Sequence, residues 1–408
     1  MISTLSPPPQ FARRSCLKIG CHISYLSRNN GPCKASLITN SDAFEVGRLI
    51  GSYGLINITS YSGLQSESPG MRNTMDLDFS GQFRVQDVGE GNVKIRLYEG
   101  RIAQGPLRGT SVIFKVYPGQ QVGGVEADMM AANELNAHAC LQNSKPVCNN
   151  IQLLLGGFET KTGEQWLAFR NDGKYSAADY AKITTDKISK DSVLGDKKFW
   201  NPFQRDETIK RRRYYIVMLL RGTMRGLAYM HDNDRLHQSL GPASVVLNTI
   251  AEKDAAYLVP RLRDLAFSVD VRYSSIEEDS GNLSKELWRR ASAAGAFTTL
   301  EKRSYGIADD IYEAGLLFAF LAFIPFCEAG AMDSISLRRL LENTFKLDLE
   351  AAREYCSADD RLSETVKFLD LGNGSGWELL QAMVNPDFRS RPIAEAVLNH
   401  RFLTDDTL

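Results

Sequence analysis

The chain has 408 residues, enough for one bilobal domain or two small ones. Its 48 basic and 49 acidic residues balance, so no global field argues for nucleic acid or an acidic substrate. A hydrophobic share of 43% with 24% charged residues is ordinary for a soluble globular protein.

Residues 1–41 contain no Asp or Glu but carry Arg13, Arg14, Lys18, Arg28, Lys34 and many Ser. A basic, Ser-rich, acid-free start has the composition of an organelle transit peptide. Its weakly amphipathic character favours a plastid, with a mitochondrial or cytoplasmic location as the alternative. Residues 42–80, rich in Gly, Ser and Tyr, read as a linker or an N-terminal extension packing on the domain. From about 81 the pattern turns strand-like, with short alternating runs at 83–91, 94–103 and 110–117. A helical period covers 125–142, and strand-like runs follow at 151–159 and 164–169.

After about residue 173 the chain reads as mostly helical. A short helix is expected over 176–182, an exposed polar insertion over 184–213, and a long helix over 214–231. Further helices are expected at 309–325, 376–384 and 393–402. The uncharged run Ala314 to Cys327 is too short for a confident membrane span and suits a core helix. Cys140, Cys148, Cys327 and Cys356 form no Cys-x-x-Cys motif and read as thiols of a reducing compartment. Strands first and helices after predict an α+β protein of two lobes.

Several residues carry chemistry. Gly89 and Gly91 flank Glu90 in a turn whose backbone could approach phosphate oxygens without a Cβ clash. Lys115 ends the apolar strand Val112-Ile113-Phe114, and Glu134 lies nineteen residues on. Glu126 is the alternative carboxylate partner for that Lys. The segment 229–248 ends a helix and then runs His237, Gln238, Ser239, Leu240, Gly241, with Ser244 before an apolar strand. Asp264-Leu265-Ala266 comes after a polar bridge, followed by Asp310 in a helix and by Arg391-Pro392.

In this order the features resemble the protein-kinase superfamily over roughly residues 85–405. The resemblance implies a kinase-like domain over 81–405, with an N-lobe over 81–169 and a C-lobe over 173–405. Gly89, Gly91, Lys115 and Glu134 would then bind nucleotide, and Asp264 would hold metal, with ATP and Mg²⁺ the implied ligands. Asp310 looks like the Asp that ties down the catalytic-loop backbone, and Glu301 is a loose candidate to pair with Arg391.

The departures lie in the catalytic loop. Ser239 stands where the family has its Asp base, Gly241 where Ser/Thr kinases have Lys, and Ser244 where the Asn holds a second metal. Gln238 replaces the Arg that usually receives an activation-loop phosphate, Ala266 replaces a Gly, and Ile113 takes a small residue's place over the adenine. The pattern implies a pseudokinase, a binding or regulatory module that keeps its ATP-side residues. The alternative is an active, atypical Ser/Thr kinase. A protein partner is expected but not identified, with neither nucleic acid nor a transmembrane segment.

Overall fold

Five strands form an antiparallel sheet in the order β1-β2-β3-β5-β4. They are β1 (Phe44–Gly54), β2 (Lys94–Ile102), β3 (Ser111–Tyr117), β4 (Leu154–Glu159) and β5 (Gln165–Arg170). Helix α1 (Gln120–Asn143) joins β3 to β4. The structure, a computed structural model, describes residues 37–54, 93–144, 146–193, 202–277 and 284–404.

Successive side chains of a strand point to opposite faces. Val112, Phe114 and Val116 of β3 pack with Phe44, Ile102 and Ala168 on one face of the sheet. Tyr117 packs on the other face with Met130, Ala131 and Leu135 of α1. Lys115 shares the parity of Tyr117 and is therefore aimed at α1.

The sheet begins earlier than the composition predicts. Residues 44–54, expected within a linker or extension, form β1 and pair with β2 along its length. Residues 37–41, expected within a transit peptide, include Ile38, which covers the outer edge of β4. Its N–H donates to Leu155 O at 3.0 Å, and its own carbonyl accepts from Gly157 N at 2.9 Å. A Cβ on Gly156 would meet the Ile38 carbonyl oxygen at 2.0 Å, so only Gly admits this strap.

The second lobe opens with β6 (Tyr175–Ser176), α2 (Ala177–Val193) and α3 (Pro202–Asp232). It continues with β7 (Arg235–Leu236), β8 (Val245–Leu247), β9 (Arg261–Leu262) and β10 (Val269–Asp270). These short strands make a β6-β8-β9 sheet and a β10-β7 pair. Next come α4 (Tyr273–Glu277), α5 (Lys285–Ala293) and α6 (Thr299–Phe323), then a set of shorter helices to Thr404.

The core of this lobe sets Leu219, Leu220, Met224 and Leu227 of α3 against Leu317, Phe318 and Leu321 of α6. That burial accounts for the apolar run at 314–327. No helix among the described residues is long and apolar enough to cross a membrane.

Where it is described, the polar stretch 184–213 is helical, with several exposed residues such as Lys187, Lys190 and Arg211. Residues 184–193 finish α2, and 202–213 begin α3. Thr185 is buried and donates to Ile324 O at 2.9 Å. Arg212 reaches Glu252 at 2.9 Å and Pro325 O at 3.0 Å, while Arg213 reaches Glu364 at 3.3 Å. Arg212 and Arg213 are therefore drawn onto the lobe by carboxylates distant in sequence, while Lys210 and Arg211 stay exposed. The architecture is α+β with two lobes, as the order of elements predicts.

Candidate active site

Lys115 sits at the centre of a buried charge cluster where the lobes meet. Its Nζ lies 2.7 Å from both carboxylate oxygens of Glu134 on α1. The same Nζ donates to Asp264 Oδ1 at 2.8 Å. Lys115 is 3% exposed, and Glu134 and Asp264 are as deeply buried. Buried charges persist when paired and hydrogen-bonded, and the partners here are supplied by several elements. Tyr117 Oη donates to Glu134, and Leu265 N donates to Glu134 Oε1 at 3.3 Å. Glu126, the alternative partner, is exposed in the first half of α1.

One turn along α1, His138 lies 3.9 Å from Glu134. Burial, reinforced by the nearby Lys115 charge, pushes its pKa down to about 3. His138 is therefore neutral and adds no further cation to the cluster. Asn133 anchors α1 to the segment after Asp264, donating to Ala266 O at 2.8 Å and Ser268 O at 2.7 Å.

Asp264 adopts a left-handed backbone conformation at φ 66°, which Asp tolerates better than most residues. Its second carboxylate oxygen is 3.3 Å from Arg263 Nε. Arg263 Nε and Nη2 both donate to the carbonyl of Ala243, at 3.1 and 2.8 Å. One carboxylate thus faces two cations.

The degenerate loop is held from below by Asp310 on α6. Its carboxylate accepts from His237 N at 2.7 Å, Gln238 N at 2.9 Å, Gln238 Nε2 at 3.1 Å and His231 Nε2 at 3.0 Å. Burial alone would raise this carboxyl. The hydrogen bond and charge of His231 outweigh it and hold the pKa below its usual range. Burial lowers the pKa of His237.

The two hydroxyls that replace the expected Asp and Asn are both engaged. Ser239 is 1% exposed, and its Oγ donates to the backbone carbonyl of Asp264 at 2.7 Å. Ser244 Oγ donates to Gly241 O and accepts from Gly241 N, both at 2.9 Å. The loop uses its hydroxyls to stay closed, one against the Asp264 segment and one against itself.

Gly89 and Gly91 lie outside the described residues. Ile113 is half-buried in β3, opposite Glu99 and Phe169.

Glu301 does not pair with Arg391. It completes a capping box at the start of α6, accepting from Phe297 N, Thr298 N and Thr298 Oγ1. Arg391 instead donates to Asn385 O at 2.7 Å and Ala308 O at 3.0 Å, and lies over the Tyr312 ring. The ion pair that fastens the segment before α6 is Arg290 with Asp309, bidentate at 2.7 and 2.9 Å. Arg263, Tyr117 and Arg290 are the residues of this region that pattern reading passes over.

The fold is similar to that in "Crystal structure of a Stt7 homolog from Micromonas algae soaked with ATP", at a TM-score of 0.53 and 18% identity. That likeness covers 93% of this chain and 98% of the other. In sequence the chain is similar to two proteins of Arabidopsis thaliana. It is 24% identical over 267 residues to "Serine/threonine-protein kinase STN8, chloroplastic", covering 59% of this chain and 49% of that protein. It is 24% identical over 256 residues to "Serine/threonine-protein kinase STN7, chloroplastic", covering 59% and 44%. The match thus spans less than half the length of these curated relatives. No family model matches the chain.

Proposed function

We propose that this chain, a member of the protein-kinase superfamily by its likeness to the two curated kinases, works as a pseudokinase. In this reading it is a binding and regulatory module whose cleft takes a nucleotide but does not transfer the γ-phosphate to a protein hydroxyl. The observation that carries the reading is the bond from Ser239 Oγ to the Asp264 carbonyl. A side chain at this position must accept a substrate proton to act as base, and this one is already donating its own. A neutral hydroxyl has no useful basicity at pH 7, and general-base assistance is worth about 10²–10⁴-fold in rate.

Three further observations support it. Gly241 supplies no cation to the γ-phosphate, and Ser244 is closed onto Gly241. Lys115, Glu134 and Asp264 stay together, so the nucleotide side of the cleft keeps its charged residues. The structural relative was soaked with ATP, which favours nucleotide as the ligand of this cleft.

The names of the curated relatives favour a second reading, an atypical active Ser/Thr kinase. A transfer assay separates the two. The purified full chain is incubated with labelled ATP, Mg²⁺ or Mn²⁺ and generic protein substrates. The pseudokinase reading expects no incorporation above a Lys115→Met, Asp264→Ala control. Incorporation that disappears in that control would establish the active kinase instead.

We place the protein in the plastid, with residues upstream of Ile38 acting as the targeting segment. The acid-free N-terminus and the chloroplastic names of both relatives support this location. A fluorescent fusion to residues 1–36 that stays in the cytosol would refute the assignment.

A further inference from the structure

A kinase cleft is expected to hold Mg²⁺ through the carboxylate at Asp264 and the side chain at Ser244. The donor set here does not fit that ion. Mg²⁺ demands near-octahedral oxygen ligands and gives up its waters reluctantly. Ser244 Oγ is closed on the Gly241 backbone. Both oxygens of Asp264 face protein cations, Lys115 Nζ at 2.8 Å and Arg263 Nε at 3.3 Å. The Arg263 Nε proton is given to Ala243 O, so its nearness to Asp264 Oδ2 is one of charge, and a divalent ion on that oxygen would sit beside a like charge.

Arg263 is fixed by two hydrogen bonds to Ala243 O, and its backbone N–H donates to Ser244 O at 3.0 Å. The guanidinium is therefore held between the Ala243 carbonyl and the Asp264 carboxylate. Its side chain is 28% exposed. Arginine keeps its charge at any working pH, and a guanidinium is well suited to phosphate oxygens. In charge, Lys115 and Arg263 balance Glu134 and Asp264, so the site carries no surplus carboxylate to attract a divalent cation.

We propose that Arg263 takes the place of the divalent cation, so that this cleft binds a nucleoside triphosphate as the metal-free polyanion. The proposal rests on the pseudokinase reading above, in which the cleft keeps a nucleotide but has no transfer to perform.

The test is calorimetric titration of the full chain with ATP, once in excess EDTA and once in excess Mg²⁺. The expected result is equal affinity within about twofold, or tighter binding in EDTA. Arg263→Gln is expected to weaken binding in EDTA at least tenfold, and Arg263→Lys to keep most of it. Thermal unfolding midpoints check that the variants remain folded. If they do not, the wild-type comparison in EDTA and Mg²⁺ still decides.

Wild-type binding that appears only with Mg²⁺, or no binding in either buffer, would overturn the proposal. Unchanged affinity in a folded Arg263→Gln protein would do the same. Phosphate transfer is followed in the same samples. Mg²⁺-dependent binding without transfer removes only the role of Arg263, whereas transfer to a protein hydroxyl removes the pseudokinase reading itself.

Discussion

Replacing Asp310 by Asn should loosen the loop at 237–241 and cost the protein much of its stability. The carboxylate collects four donors, two of them backbone N–H groups of the loop, and is fully buried. Asn keeps one acceptor oxygen and points an NH₂ group at the remaining donors. About two donors then lose their acceptor, at ~1–3 kcal/mol for each buried group left unsatisfied. His231 and His237 also lose the charge that faces them, so the expected loss is about 3–5 kcal/mol.

The measurement is urea unfolding followed by far-UV circular dichroism, with Glu395→Gln, an exposed site, as control. The same bonds set a pH window. The folded pKa of Asp310 lies below its ordinary value of 3.8. Its stabilisation is therefore complete above that value and is lost as pH falls through the lower folded pKa. The Asn variant should lack this acid-side loss. A destabilisation below about 1 kcal/mol at pH 7 would refute the view that Asp310 holds the loop.

Restoring the expected pair, Ser239→Asp with Ser244→Asn, should not produce kinase turnover, because Gly241 remains and Asp264 still faces two cations. The double variant should also lose about 1–3 kcal/mol, since Asp cannot donate to the Asp264 carbonyl; turnover of roughly 1–100 s⁻¹ in a transfer assay would contradict this. Glu313 is buried in α6, and burial, against the opposing pull of Arg338, raises its pKa from 4.5 to about 7. A raised carboxyl favours the folded state as pH falls from about 7 towards 4.5, so wild-type stability should gain up to about 3 kcal/mol over that window. Glu313→Gln should flatten that slope, and parallel slopes in urea titrations at pH 8 and 5 would rule the effect out.

The residues whose meaning is local were legible from the sequence. Lys115 ends an apolar strand, Glu134 follows at a helical distance, and the structure sets them 2.7 Å apart. Asp310 is legible because it stands just before the apolar run 314–327, at the place of the Asp that ties down the catalytic loop in the resembled family. Other features depend on tertiary partners.

β1 holds three glycines, a residue of poor strand propensity, and it becomes a strand through its pairing with β2. In the basic run at 210–213, Arg212 and Arg213 pair with Glu252 and Glu364, which are remote in sequence and invisible to pattern reading. Arg263 is simply the residue before Asp264. Its importance lies in reaching Ala243, twenty residues away. Thr298 with Glu301 three residues later is a capping-box signature, and it assigns Glu301 to the helix start rather than to Arg391.

The claim that the cleft binds but does not transfer is met most directly by a single-turnover experiment. The full chain, in excess over γ-labelled ATP, is followed in EDTA, Mg²⁺ and Mn²⁺, with bound label and label on protein hydroxyls measured in each sample. Retained, filter-bound nucleotide with no label on hydroxyls in any buffer is the predicted result. Metal-dependent label on protein hydroxyls that disappears in Asp264→Ala would contradict it.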